Sequence, residues 1–291
     1  MRPLLLLISL FSLVISTFAI FEVNAKARGK YPASIVELTI PSHGKRMSGL
    51  AYLAEGAGPH PTILLLHGYP GNEKNLDVAQ AMRREGWNVI FFHYRGAWGS
   101  EGEFSFRGAE QDVQQVLAYL RQEKNAASLR INADKISLVG HSMGGHMAIA
   151  GILDNPAVKC SLSYDGANLG ADGLGFFKEK QSAELWRSYS DSLFMLSGWS
   201  GAKAEAEIRQ YGPELDLVKR IDKINGRPVM LIAANTEVIP MAQHIKPLLA
   251  ALKGTNNSRV SYQLIEDDHS FSSSRDQLIA VSASFLNGQC R

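Results

Sequence analysis

The chain has 291 residues, 45% hydrophobic and 20% charged. That is enough apolar material for one large folded domain and too much for a disordered chain. Thirty basic against 28 acidic residues leave a formal charge of +2, and with no run of Lys or Arg the sequence lacks the electrostatic footprint of a nucleic-acid binder. A neutral or small molecule is the expected partner.

Residues 1–25 open with a short basic start, continue as an apolar run from Leu4 to Phe21, and reach a small-residue site at Val23-Asn24-Ala25. This pattern is that of an export signal. The run also matches the ~18 residues of a membrane-span candidate, so an uncleaved N-terminal anchor is the alternative. Either version puts the folded domain outside the cytoplasm, periplasmic or secreted. Cys160 and Cys290 are too few for a disulfide framework or a cysteine metal site. They read as one buried residue and one tail residue rather than as a bridge.

The folded domain is expected over residues 30–288. "SIVELTI" (34–40) and "SGLAYLA" (48–54), joined by a turn-rich stretch, predict an antiparallel opening pair. "TILLL" (62–66) is a short continuous apolar run of the kind buried on both faces, followed by the helical "LDVAQAMRREG". Strand-like segments at 88–94, 135–140, 158–164, 227–234 and 259–265 then alternate with helical ones at 109–122, 146–153 and 241–253. Such alternation predicts an α/β fold with a mostly parallel eight-stranded sheet flanked by helices. The rhythm lapses over 169–224, where Phe176, Phe177, Trp186, Trp199 and Tyr211 sit among polar residues. That segment is expected to be an inserted helical lid, with ordinary core helices as the plainer alternative.

Chemistry concentrates at Gly140-His141-Ser142-Met143-Gly144. A Gly-x-Ser-x-Gly arises readily by chance, but here it follows an apolar strand and opens a helix, the setting of a tight turn that exposes a Ser hydroxyl. The helix N-terminus adds free N–H groups and partial positive charge where an oxyanion would develop. A Ser hydroxyl needs a base to take its proton. Among eight histidines the candidate is His269, on a loop after the last strand, where an Asp-His pair has no packing motive. His67 and His141 flank the presumed site without a part in proton transfer.

From Ser34 onward the sequence resembles the α/β-hydrolase superfamily, in particular its single-domain esterase-like and prolyl-oligopeptidase-like members. The resemblance rests on "LLLHGYPGN" (64–72), "FHYRGAWGSEG" (92–102), the Ser142 pentapeptide and "DDHSF" (267–271). It implies an oxyanion hole made by the N–H groups of Tyr69 and Met143, and His269 as the catalytic His. The family's usual acid follows the strand at 227–234, but Thr236 stands at that position. Glu237 is the first candidate for the acid and Asp165, after the preceding strand, the second; Asp267 and Asp268 read as solvated loop charges. No cofactor and no metal are implied, since no ligand spacing occurs. The expected activity is serine hydrolysis of carboxylic esters. A serine peptidase, or a non-catalytic binding protein on the same scaffold, is the alternative.

Overall fold

The computed structural model describes residues 29–171 and 179–291. The expected leader, and Phe176 and Phe177, lie outside the described residues. Ala33–Arg291 fold as one unit. Its strands are β1 (Ser34–Ser42), β2 (Lys45–Leu53), β3 (His60–Leu66), β4 (Asn88–Phe92), β5 (Ile131–His141), β6 (Ser161–Tyr164), β7 (Val229–Ala233) and β8 (Val260–Leu264). They form one eight-stranded sheet in the order β1-β2-β4-β3-β5-β6-β7-β8. Only the β1–β2 and β2–β4 pairs are antiparallel, in line with the expected mostly parallel sheet.

The helices are α1 (Leu76–Arg84), α2 (Phe106–Arg121), α3 (Glu123–Ser128), α4 (Met143–Asp154), α5 (Lys180–Asp191), α6 (Gly201–Leu215), α7 (Ile245–Gly254) and α8 (Arg275–Phe285). A 3-10 turn, Leu217–Ile224, leads into β7. Alternate residues of each parallel strand feed opposite cores. Leu64, Leu66, Ile90, Phe92 and Leu138 pack with Val113, Val116 and Leu120 of α2 and with α4. Ile63, Leu65, Val89, Phe91 and Val139 pack on the other face with Val78 and Met82 of α1 and Leu278 of α8. This two-sided burial explains why β3 reads as an unbroken apolar run.

Local signals set the helix ends. The Ser105 hydroxyl accepts from Gly108 N–H and starts α2, three residues earlier than the apolar periodicity suggests. α7 begins at Ile245 rather than near 241, which leaves Pro247 in the first turn, where its missing N–H breaks no helical bond. Over 169–224, α5 and α6 are regular helices, and Ile208, Leu215, Leu217 and Ile221 join the α2/α4 core.

Cys160 and Cys290 form a disulfide with a Cα–Cα distance of 5.6 Å, which corrects the expectation of two unbridged cysteines. Cys160 leads into β6, and the turn Leu286–Cys290 after α8 returns the tail to it. Sequence separation hides this pairing; the shared core beneath α8 creates it.

Candidate active site

The chain passes from β3 to β4 on one side and then crosses to β5 on the other. The carboxyl ends of β3 and β5 therefore flank the crevice where open α/β sheets hold ligands. Gly68 and Tyr69 follow β3, and Ser142 follows β5.

Ser142 has φ 58° and ψ −121°, a left-sided conformation rare for a residue with a side chain and costly by about 1–3 kcal/mol. Its N–H donates to Tyr164 O at 2.9 Å, pinning the turn to β6. Two glycines permit it. A Cβ on Gly140 would lie 2.0 Å from Gly144 O, and one on Gly144 would lie 2.0 Å from Leu66 O. Met143 is the first residue of α4, so its N–H has no acceptor within the helix. Gly68 approaches so closely that a Cβ there would sit 2.9 Å from Ser142 Cβ, which brings the start of the Tyr69 loop against the Ser.

His269 Nδ1–H donates to Asp165 Oδ2 at 2.6 Å; the Asp side chain is 0% exposed and the His side chain 19%. Asp165 also accepts from Ala234 N–H at 3.1 Å and from the Thr236 hydroxyl at 3.4 Å. The carboxylate bonded to His269 is thus the one after β6. Glu237, the first candidate from the sequence, is exposed, and the place expected for an acid after β7 is held by a Thr that donates to Asp165. Asp267 and Asp268 are more than solvated charges. Asp268 Oδ1 accepts from Ser270 and Ser272 N–H at 2.9 Å each, and Asp267 Oδ2 accepts from Ser273 N–H at 3.0 Å. The Ser272 hydrogen bonds keep the Asp268 carboxyl below its ordinary value.

Two other histidines brace the site as neutral rings. His141 Nε2–H donates to His269 O at 2.7 Å, and its ring lies 4.5 Å from that of His269. Burial, with the charge of His269 second, lowers its pKa to about 3. His67 Nδ1–H donates to Gly68 O at 2.9 Å, which leaves its Nε2 to accept from His93 Nδ1 at 3.3 Å. Burial takes His67 to about 3 and His93 to about 4. The backbone contact of His141 was not readable from the sequence; its adjacency to Ser142 was the only sign.

Ser142 and His269 border two cavities. One, about 260 Å³, is walled by Tyr69, Phe106, Met143, Leu169, Trp186 and Ile239 and is mostly apolar. The other, about 190 Å³, is more polar and includes Asn72, Glu73 and Ser270. Tyr69 joins both: its hydroxyl donates to Ser190 Oγ at 2.9 Å and accepts from Trp199 Nε1 at 2.7 Å, and burial pushes its pKa up to about 12. A larger cavity of about 420 Å³ beside β1, β2 and β4 contains neither Ser142 nor His269. Among the described residues no three His, Cys, Asp or Glu side chains converge as metal ligands.

The family model BD-FAE matches residues 51–167, the span from β2 to just beyond Asp165. The chain is 27% identical over 245 residues to the sn-1-specific diacylglycerol lipase ABHD11 of Xenopus tropicalis, covering 79% of this chain and 70% of that one. It is 32% identical over 92 residues to the lysophosphatidylserine lipase ABHD12 of Danio rerio, 31% of this chain and 22% of that one. In structure it resembles the esterase Pf2001 of Pyrococcus furiosus, with TM-score 0.62 and 17% identity over 90% of this chain and 94% of that one. It also resembles the acylaminoacyl peptidase of Pyrococcus horikoshii, with TM-score 0.67 and 15% identity over 89% of this chain and 42% of that one. With this sheet order, this seat for Ser142 and these structural neighbours, the chain has the α/β-hydrolase fold.

Proposed function

We propose that the protein is a serine hydrolase that cleaves carboxylic esters through an acyl-enzyme. The observation that carries this reading is the Asp165–His269 hydrogen bond at 2.6 Å, in a pocket shared with Ser142 on its strained turn. Ser142 Oγ attacks the ester carbonyl, and His269 Nε2 takes its proton and passes it to the leaving alcohol. Asp165 holds the ring with Nδ1–H toward itself and stabilises the imidazolium. The N–H groups of Tyr69 and Met143 receive the oxyanion, a contribution of about 3 kcal/mol for each donor. Water then clears the acyl group by the same route. Thr236 at the position expected for the acid favours a non-catalytic scaffold, and a buried carboxylate already bonded to His269 weighs against that alternative.

Ester rather than peptide substrates are favoured by the apolar cavity beside Ser142 and by the lipase relatives. The N-terminal apolar run is read as an export signal or anchor, a reading supported by the Cys160–Cys290 bond, since disulfides persist in oxidising compartments. A fluorophosphonate probe is expected to label the protein and to leave Ser142→Ala unlabelled. Labelling that survives this substitution removes the assignment. Nitrophenyl esters assayed beside aminoacyl anilides separate esterase from peptidase.

A further inference from the structure

Four adjacent parallel strands deliver Ser142, Asp165, Thr236 and His269 beyond their carboxyl ends, and the amino ends of the same strands carry a different chemistry. Lys135 precedes Ile136, from which β5 pairs with β3 without a break. Lys159 lies two residues before β6, Arg227 two before β7, and Arg259 directly before β8. The four line one cavity of about 400 Å³ with Arg291, and no Asp or Glu lines it.

Elsewhere in the molecule Arg46, Arg95, Arg187, Arg220 and Arg275 are matched with carboxylates. Among the described residues, none of the five around this cavity is ion-paired to a carboxylate. Arg227 is held rigidly: Nε, Nη1 and Nη2 donate to Ile224 O at 2.9 Å, Asn155 O at 2.8 Å and Lys223 O at 2.7 Å. Neutral carbonyls fix that charge without cancelling it. The Cys160–Cys290 disulfide ties the tail beside Lys159, while the Arg291 guanidinium donates to Glu85 O and lies over the Trp87 ring. The charges that converge are therefore those of Lys135, Lys159, Arg227 and Arg259. Converging like charges repel, and an anion between them removes the repulsion.

We propose that this cavity binds a phosphate-bearing anion, free in solution or as a lipid headgroup, at the end of the sheet remote from Ser142. Arg259 supplies a planar fork suited to phosphate oxygens, and Lys135 and Lys159 supply mobile point charges. The volume exceeds that of one phosphate, which favours a ligand with two or more anionic groups. None of this depends on the ester reading.

The test uses the full chain and the double variant Lys159→Gln/Arg259→Gln, with Lys135→Gln/Lys159→Gln as a second pair; the replaced side chains are all exposed. Inorganic pyrophosphate is expected to raise the Tm of the parent protein saturably, less so as salt rises, with Kd at least tenfold weaker in each pair. In a parallel arm, flotation with phosphatidylcholine vesicles is compared with and without phosphatidylglycerol, so that attachment through the N-terminal segment cancels. Loss of pyrophosphate binding in the variants supports a soluble ligand. Loss confined to the phosphatidylglycerol-dependent fraction supports a headgroup. Parent and variants that behave alike in both arms overturn the proposal. Nitrophenyl ester turnover stays unchanged in both pairs.

Discussion

Asp165 meets three donors at once: an imidazole N–H, a backbone N–H and a Thr hydroxyl. Asparagine preserves its size but presents an amide where His269 needs an acceptor, so the ring loses its tautomer and its counter-charge. Turnover of a nitrophenyl ester by Asp165→Asn is expected to fall by roughly 10⁴. Glu237→Gln, at an exposed position, is expected to stay within about twofold, since surface changes away from such networks cost little. Equal rates for both variants would defeat the assignment of Asp165. At this scale Ser142 and His269 were legible because each has a local signature, a Gly-flanked turn and a post-strand loop. The carboxylate partner of His269 was not, because Thr236 and Glu237 follow one strand and Asp165 another, and only the register of β6 against β7 decides which loop reaches His269.

At the scale of elements, α4 and the strand before it seat the Ser, while α5 supplies Trp186 as a wall of the apolar cavity. At about 30 Å³ per water-sized group, the 260 Å³ of that cavity holds an acyl chain on the order of eight carbons. Each methylene buried there contributes about 0.8 kcal/mol, close to fourfold in kcat/KM. A series of nitrophenyl esters of rising chain length is therefore expected to gain until the cavity fills and then to fall. Trp186→Ala moves the break to longer chains with the short-chain rate little altered; an unmoved break would mean that the acyl group lies elsewhere. Periodicity revealed the strands and helices themselves. The cavity arises only when loops after β3, β6 and β7 meet α5, and no single segment carries that information.

Across the whole molecule, three neutral histidines make the fold acid-sensitive. In the unfolded chain His67, His93 and His141 take up a proton near pH 6.5, whereas in the fold burial delays this to about 3, about 4 and about 3. Between those limits the unfolded chain binds more protons, so stability falls as pH drops through 6.5, by up to about 1.4 kcal/mol per pH unit for each ring. Denaturant midpoints are expected to decline between pH 6.5 and 5, and His93→Gln should shallow the slope; a flat profile would contradict the burial of these rings as neutral species. The overall fold was readable in outline, yet the basic edge was not, since its four strand-start cations are scattered from position 135 to 259 and only the parallel stacking of strand starts gathers them. The disulfide joins positions 130 residues apart, and the span it closes carries both Asp165 and His269. The second half of the polypeptide is accordingly a covalent ring: one cut by a protease anywhere between the two sulfurs yields fragments that stay together until a reductant parts them.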